Sequence, residues 1–441
     1  MFIGKVKMKA YYDVIVVGAG AAGMTAAISA AGTGAKTAIL EHMDEAGRKL
    51  LATGNGKCNF TNQVQGVECY RGQNPAFVLP TLAQFGLSET LDFFREIGIF
   101  SVKKRDGYYY PASGQASSVR QALVLELKRL GVDIHYNIGI RSIKKDDREH
   151  FCFETKQGMF FSKSCIIATG GKAAKKTGSD GSGVPYIKSF GHTVLEFVPA
   201  LVQLKGAQSF LKELSGIRAD AHITLFVDDT QTSSDRGEVQ LTDFGVSGIP
   251  AFQVSRYAVY ALKKQKKVHL SLDFAPDLDY NTLLDYFLLQ KERDRKTQRE
   301  LRLTCKAEQK GCPRGNTADI HLQDTLIGFL NKKLIPVMLR EAGLAEEILL
   351  SRCGKKEFEK LIDTIKHFRI DITGSKDFDS AQVCAGGVST AQINPDTMES
   401  QLVPGLYFAG EVVDIDGMCG GYNLQWAWTS GWVAGKHAGT A

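Results

Sequence analysis

Tyr12-Asp-Val-Ile-Val-Val-Gly-Ala-Gly-Ala-Ala-Gly23, an alanine-rich run, and then Lys36-Thr-Ala-Ile-Leu-Glu41 together decide the fold of this chain. Asp13 to Val17 is a short, β-branched apolar run, as expected of a parallel strand buried on both faces. Gly18, Gly20 and Gly23 form G-x-G-x-x-G where that strand should turn into a helix. Gly18 allows the tight turn, Gly20 lets the main chain approach a diphosphate, and Gly23 lets helix and strand pack closely. Small residues carry the helix, and Gly32 and Gly34 end it. Thr37 to Leu40 is a second strand, closed by Glu41 where a carboxylate meets a ribose diol. The glycines alone would also suit an ordinary turn. Strand, helix, strand and acid in that order point to a dinucleotide site.

At 441 residues the chain should hold about two or three domains. Hydrophobic content of 44% and charged content of 23% describe an ordinary globular protein. The start, Met1-Phe-Ile-Gly-Lys-Val-Lys-Met-Lys9, lacks a signal peptide's apolar core, and no apolar run is long enough to span a bilayer. Nine cysteines, never arranged as C-x-x-C, suggest the reducing cytoplasm. Cys305, Cys312, His321 and Cys353 do not match zinc spacing, and no metal is expected. The net charge of +6 equals the excess between Arg256 and Arg314, where 14 Lys and Arg face 8 Asp and Glu. Such a run can attract nucleic acid, but is more often a solvated helix face.

After Glu41, the stretch from Gly47 to Asn62 is too rich in Gly, Asn and Lys for a regular element and reads as a loop. Arg48 and Lys49 could neutralise a diphosphate there. Leu79 to Ile97 and Ser117 to Leu130 have helical spacing, with an aromatic turn, Gly107-Tyr-Tyr-Tyr-Pro-Ala-Ser-Gly114, between them. Val132 to Ile143 and Phe151 to Phe161 suggest a β-meander. Ser164-Cys-Ile-Ile-Ala-Thr-Gly-Gly171 should return beside the first strand, and Gly178-Ser-Asp-Gly-Ser-Gly183 opens another loop. From about Pro199 the texture changes to short strands (Ile223 to Val227, Glu238 to Thr242, Val268 to Phe274) and then helices (Tyr280 to Lys310, Leu322 to Ala342, Glu357 to Lys366). This predicts an inserted domain with a small β unit and a helical cap. The division expected is 1–197 and 372–441 for the dinucleotide domain and 198–371 for the insert.

The last segment returns to the opening texture. Leu406-Tyr-Phe-Ala-Gly-Glu411 is a strand ending in Gly-Glu, and a glycine-rich turn then opens a helix near Asn423. A nucleotide held at Gly18 to Gly23 and a ring held here would be two ends of one ligand. Glu411 would meet its ribityl or phosphate region. A flavin that accepts hydride gathers negative charge beside its N1, and a helix N-terminus stabilises that charge. FAD suits this layout better than NAD.

Three motifs carry a family resemblance: Arg48-Lys-Leu-Leu-Ala-Thr-Gly-Asn-Gly-Lys-Cys-Asn-Phe-Thr-Asn62, Gly107-Tyr-Tyr-Tyr-Pro-Ala-Ser-Gly-Gln-Ala-Ser-Ser118, and Pro404 to Ala427. With Leu241-Thr-Asp-Phe-Gly-Val-Ser-Gly248, they resemble the BaiN-type, aminoacetone-oxidase-like FAD flavoproteins over nearly the whole chain. The resemblance implies an α/β fold: a Rossmann-like FAD domain of the glutathione-reductase superfamily, interrupted by an inserted β-barrel plus helical domain. It implies FAD contacts at Gly18, Gly20, Gly23, Glu41, Arg48, Lys49, Asn55, Cys58, Asn59, Thr169, Gly170, Gly410, Glu411, Asn423 and Leu424. Ala19, Ala22, His42, Gly54, Gly171 and Gly421 belong to the same segments, and Ile140 is placed near the adenine.

No cysteine pair follows the first βαβ unit, which argues against a disulfide reductase of the common type. No second G-x-G-x-x-G follows a strand, so NADH or NADPH would act only as a transient electron donor. An FAD-dependent oxidoreductase acting on a small organic molecule is expected, by C=C reduction or by amine oxidation. Tyr109, Tyr110 and His192 are weak acid or base candidates. A Cys58–Cys419 redox pair is a further expectation, against the commoner role of free cysteine as a small buried hydrophobe. The rival classes are an RNA-modifying or RNA-binding flavoprotein using the basic insert, and a flavin-binding partner protein without turnover. The sequence does not indicate the oligomeric state.

Overall fold

A computed structural model describes residues 8–104, 107–307 and 320–441. The residues before Met8, Cys312, Arg314 and the predicted helical extension from Glu308 to Lys310 lie outside those residues. The chain divides into two compact units, Met1–Leu201 with Asp377–Ala441, and Val202–Lys376.

The first unit is built on a seven-stranded sheet. Met8–Val17 lies parallel between Thr37–Leu40 and Gly158–Ile167, with Val16 opposite Ile39 on one side and Ile166 on the other. Val14, Ile15 and Val16 have no exposed surface. Apolar side chains on both faces therefore reach core, which is the physical reason the run is continuous rather than alternating. Leu406–Phe408 pairs parallel with Gly158–Ile167, Ile166 opposite Tyr407, so the last strand of the chain enters the sheet its first strand began.

One expectation is corrected here. Val132 to Ile143 is not a single arm of a meander. Asp133–His135 joins the parallel sheet beside Thr37–Leu40, and Asn137, at φ +57°, turns the chain before Ile140–Lys145 begins. Only Ile140–Lys145, Phe151–Thr155 and Gly158–Ile167 form the antiparallel meander. The helix expected over Leu79 to Ile97 is two, Val78–Gln84 and Leu87–Glu96, because the chain breaks at Phe85-Gly86 and the second helix starts from a Glu89 capping contact. The aromatic turn is a strand, Tyr108–Pro111, paired with Ser101–Lys103 and Thr61–Asn62.

Two helices lock the ends of the chain together. Ala21–Gly32 and the C-terminal helix Tyr422–Thr440 approach main chain to main chain. A Cβ on Gly431 would stand 2.4 Å from the Ala22 carbonyl oxygen, and one on Gly435 would stand 2.1 Å from that of Ala26. Gly431, Gly435 and Gly439 recur every four residues and so share one helix face. That stripe of bare backbone allows the close approach, and the Ser29 hydroxyl fastens it by donating to the Trp432 carbonyl at 2.8 Å.

The second unit holds a closed six-stranded barrel. Its strands run in the order Leu204–Gly206, Gly245–Gly248, Thr230–Thr242, Arg218–Val227, Val268–Asp273 and Phe368–Ser375. Ile223 and Leu225 alternate inward from one strand and Leu270 and Leu272 from the next, all fully buried. The helix Ile249–Lys263 packs against the barrel through Val254 and Ala258. Tyr280–Ala307, Leu334–Glu341 and Lys355–Lys366 supply the predicted helical part, but the span expected as one helix from Leu322 starts as a short 3-10 turn, Leu322–Leu326.

Candidate cofactor site

A cavity of about 400 Å³ opens in the first unit along the carboxyl ends of the parallel strands. That is where open α/β sheets bind nucleotides. Its wall is drawn from both ends of the chain: Gly18 to Ala22, Leu40 to His42, Gly47 to Leu50, Ile138 to Ile140 and Ala168 to Gly170 from one, Ala409, Glu411, Ile415, Asn423, Leu424, Trp426 and Ala427 from the other.

The glycine turn has the form its sequence demands. Gly18 sits at φ +100°, and a Cβ there would meet the Ala168 carbonyl at 2.7 Å. A Cβ on Gly23 would stand 1.9 Å from the Gly18 carbonyl, so this glycine serves helix-to-strand packing and does not line the cavity. Around Gly20, the helix N-cap, nothing stands within 4 Å of a built Cβ, leaving open space where a diphosphate would lie against the helix N-terminus. Glu41 is 6% exposed; its Oε2 accepts from the Ala19 N–H at 2.6 Å and its Oε1 from the Met43 N–H at 2.8 Å. His42 Nδ1 lies 3.1 Å from the same carboxylate. Burial alone would raise the Glu41 pKa, but the hydrogen bonds from His42, Ala19 and Met43 outweigh it and hold the carboxyl below its ordinary range. The bond to Glu41 raises the His42 pKa against the opposing effect of burial.

At the other end, the Lys49 ammonium meets Glu411 Oε2 at 2.7 Å, and both residues line the cavity. Glu411 Oε1 accepts from the Cys384 N–H at 2.8 Å and from its thiol at 3.3 Å. Asn423 is committed to its own turn: Oδ1 accepts from the Gly417 N–H at 2.8 Å, and Nδ2 donates to the Gly417 and Met418 carbonyls at 2.8 and 3.3 Å. What the start of the last helix offers the cavity is main chain, since first-turn N–H groups have no acceptor within their helix.

Of the residues expected to touch the cofactor, Gly18, Ala19, Gly20, Ala22, Glu41, His42, Arg48, Lys49, Ile140, Thr169, Gly170, Glu411, Asn423 and Leu424 are brought together around the cavity. The others do not line it. Gly54 and Asn55 are exposed on a left-handed turn. Cys58 is buried beneath Thr53, its thiol pushed up to about 12 by burial. The Asn59 amide donates to the Thr61 and Tyr109 carbonyls. A Cβ on Gly171 would collide with Cys384 Sγ, and one on Gly421 would stand 2.7 Å from the Thr61 carbonyl. Gly410 donates to Ser430 Oγ at 2.8 Å and accepts from the Trp426 indole at 3.2 Å. Neither Tyr109 nor Tyr110 lines the cavity, and His192 is buried against Phe408 with Nε2 2.8 Å from Ser400 Oγ. Cys58 and Cys419 are not joined in a disulfide.

Sequence reasoning missed Ser179, Ser182 and Tyr186, which complete the wall beside Ile140 and Gly170. Their only sequence signal was the Gly178-Ser-Asp-Gly-Ser-Gly183 loop. Tyr186 donates to the Ile140 carbonyl at 2.7 Å. The hydroxyls of Thr169 and Ser179 are buried without a hydrogen-bond partner. Buried polar groups are rarely left so. Two orphaned hydroxyls in the wall, a bare helix start at Gly20 and a ribose-type carboxylate at Glu41 fit a dinucleotide.

The HI0933-like protein Rossmann domain family model matches residues 12–437, and the chain belongs to that family. It is 39% identical over 425 residues to the 3-dehydro-bile acid delta(4,6)-reductase of Clostridium scindens, covering 96% of this chain and 98% of that one. It is 29% identical to the ribosomal RNA dihydrouridine synthase of Escherichia coli, covering 96% of this chain and 97% of that one. Among solved structures, the 3-ketosteroid-delta4-(5alpha)-dehydrogenase of Rhodococcus jostii matches at 14% identity and a TM-score of 0.47, covering 99% of each chain. The protein is an FAD-dependent oxidoreductase with a Rossmann-like domain and an inserted barrel. No helix among the described residues is long and apolar enough to cross a membrane.

Proposed function

We propose that this protein reduces a carbon–carbon double bond conjugated to a carbonyl in a small organic substrate. The observation that carries the reading is the 39% identity, over almost the full length of both chains, to a reductase named for a 3-dehydro-bile acid and its delta(4,6) bonds. In such a compound the double bonds are conjugated to the 3-oxo group. Dihydrouridine synthesis, the activity named for the relative at 29% identity, saturates the uracil C5–C6 bond, which is also conjugated to a carbonyl. Hydride addition to the β-carbon and protonation of the α-carbon serve both.

FAD, when bound, supplies the hydride chemistry. The chain's own residues would hold it: the Gly18–Gly20 turn and the start of Ala21–Gly32 at the diphosphate, Glu41 at the ribose, Arg48 and Lys49 at the phosphate charge. The helix start at Asn423 and Leu424 would offer the ring main-chain N–H groups and a positive dipole end, which favour the negative charge of the reduced state. NADH or NADPH would dock transiently as electron donor.

Anaerobic titration of the flavin-loaded protein with NADH and NADPH, then with a 3-oxo-4,6-diene steroid, tests this. Bleaching by a nicotinamide and recovery of colour with loss of the dienone absorbance is expected. Bleaching by an amine, with none by either nicotinamide, would turn the assignment to amine oxidation. A second reading, in which the double bond belongs to a uridine in RNA, is favoured by the dihydrouridine synthase relatives from two organisms. Binding to a ribosomal RNA fragment that weakens steeply with salt, together with uridine reduction, would support it. Absence of binding at low salt would remove it.

A further inference from the structure

Resting on the assignment of the cavity to FAD, we infer that Ser179, with Thr169 beside it, is a hydrogen-bonding contact to the adenosine half of the dinucleotide, kept unpartnered until that ligand arrives. Ser179 is 6% exposed, lines the cavity, and its Oγ has no partner. Thr169, also in the wall, has a buried Oγ1 in the same condition, and a Cβ on the intervening Gly170 would lie 3.1 Å from Ser179 Oγ. The position along the cavity comes from the neighbours. Gly178 stands over His42, whose ring would be 3.2 Å from a Cβ there, and His42 is bonded to Glu41 at the ribose end. Ser179, next in the chain after Gly178, is therefore assigned to the adenosine half.

A buried hydroxyl without a partner destabilises the protein that holds it, and deleting it removes that burden. The free and the bound protein should thus respond to Ser179→Ala with opposite signs. Full-length protein stripped of flavin should melt slightly higher as Ser179→Ala than as wild type. Its affinity for FAD should fall about fivefold to tenfold, the loss of one neutral hydrogen bond. ADP, which carries the adenosine and diphosphate without the flavin, should lose the same factor. Thr169→Val, which keeps the shape and removes the hydroxyl, should repeat the pattern.

If Ser179→Ala lowers the melting temperature of the flavin-free protein, Oγ is a structural hydroxyl and the inference fails. It fails equally if FAD affinity drops while ADP affinity does not. Wild-type protein that binds neither FAD nor ADP would overturn the cofactor assignment itself, whereas wild type that binds both while Ser179→Ala binds both as well overturns only the contact.

Discussion

The two ends of the cavity are built on opposite plans. At the nucleotide end, Glu41 has taken main-chain N–H groups yet retains lone pairs, a carboxylate offering about four acceptor sites, and the Thr169 and Ser179 hydroxyls have no partner. Toward Glu411 and Asn423 the side chains are already committed: Asn423 to Gly417 and Met418, Glu411 to Lys49 and Cys384. One end keeps side-chain capacity for a ligand with many polar edges. The other uses side chains to rigidify a turn and presents backbone to the cavity. A fixed array of main-chain dipoles needs no reorganisation when charge develops, which suits the end where the chemistry occurs.

The comparison breaks most completely if the two ends are pried apart. Gly435→Leu would drive a side chain into the Ala26 carbonyl, 2.1 Å from where its Cβ must stand. It should cost about 3 kcal/mol or more and abolish flavin retention, measured by urea unfolding and by the flavin-to-protein absorbance ratio. Retention of full flavin content would mean that the contact between the two helices does not set the cavity.

A smaller loss is expected from Lys49→Met. It removes a cation lining the cavity and leaves Glu411, a partly buried acid, without its partner at 2.7 Å. FAD affinity should fall about tenfold to a hundredfold, the range for a charge-assisted hydrogen bond, and calorimetric titration would read it. Asn423→Ala sharpens the contrast between the ends. Losing the clamp on Gly417 should weaken FAD by about fivefold to tenfold but leave ADP binding unchanged, the reverse of the selectivity expected for Ser179→Ala. Equal losses for ADP would show that the ends are not independent.

The smallest effect concerns acid stability. The folded-state pKa of Glu41 lies below its ordinary value of 4.5, so its contribution is complete above that pH and is lost as pH falls through the lower, folded value. Glu41→Gln should therefore flatten the acid limb of a stability-versus-pH curve below about pH 4.5 and leave its slope near neutrality to other groups. His42 acts in the opposite sense. Its raised pKa contributes stability that is fully present below its ordinary value of 6.5 and lost as pH rises through the folded value. His42→Asn should remove that alkaline decline.

The nucleotide end was legible because its constraints are local. Gly18, Gly20 and Gly23 each answer a steric demand made by atoms a few residues away or on the adjoining strand, and Glu41 follows at a distance set by one helix and one strand. Ser179 was not legible. A serine in a Gly-Ser-Asp-Gly loop looks like any turn residue, and only its seat beside Gly170 in the cavity wall distinguishes it. Cys58 and Asn59 belong to a motif that resembles that of flavoproteins, and in the fold their side chains meet Thr53 and the Thr61 and Tyr109 carbonyls.

By itself, then, the sequence determined that a dinucleotide domain opens the chain, that a β and helical segment interrupts it, and that a glycine-rich turn opens a helix near Asn423. Tertiary structure alone decided that Gly431 and Gly435 face Ala22 and Ala26, that Glu411 meets Lys49 across 362 positions of chain, and that the Thr169 and Ser179 hydroxyls are buried without partners. The physical reason is range. Backbone conformation and hydrophobic periodicity are written in neighbouring residues, whereas close approach, ion pairing and the satisfaction of a buried polar atom depend on groups that only folding brings into contact.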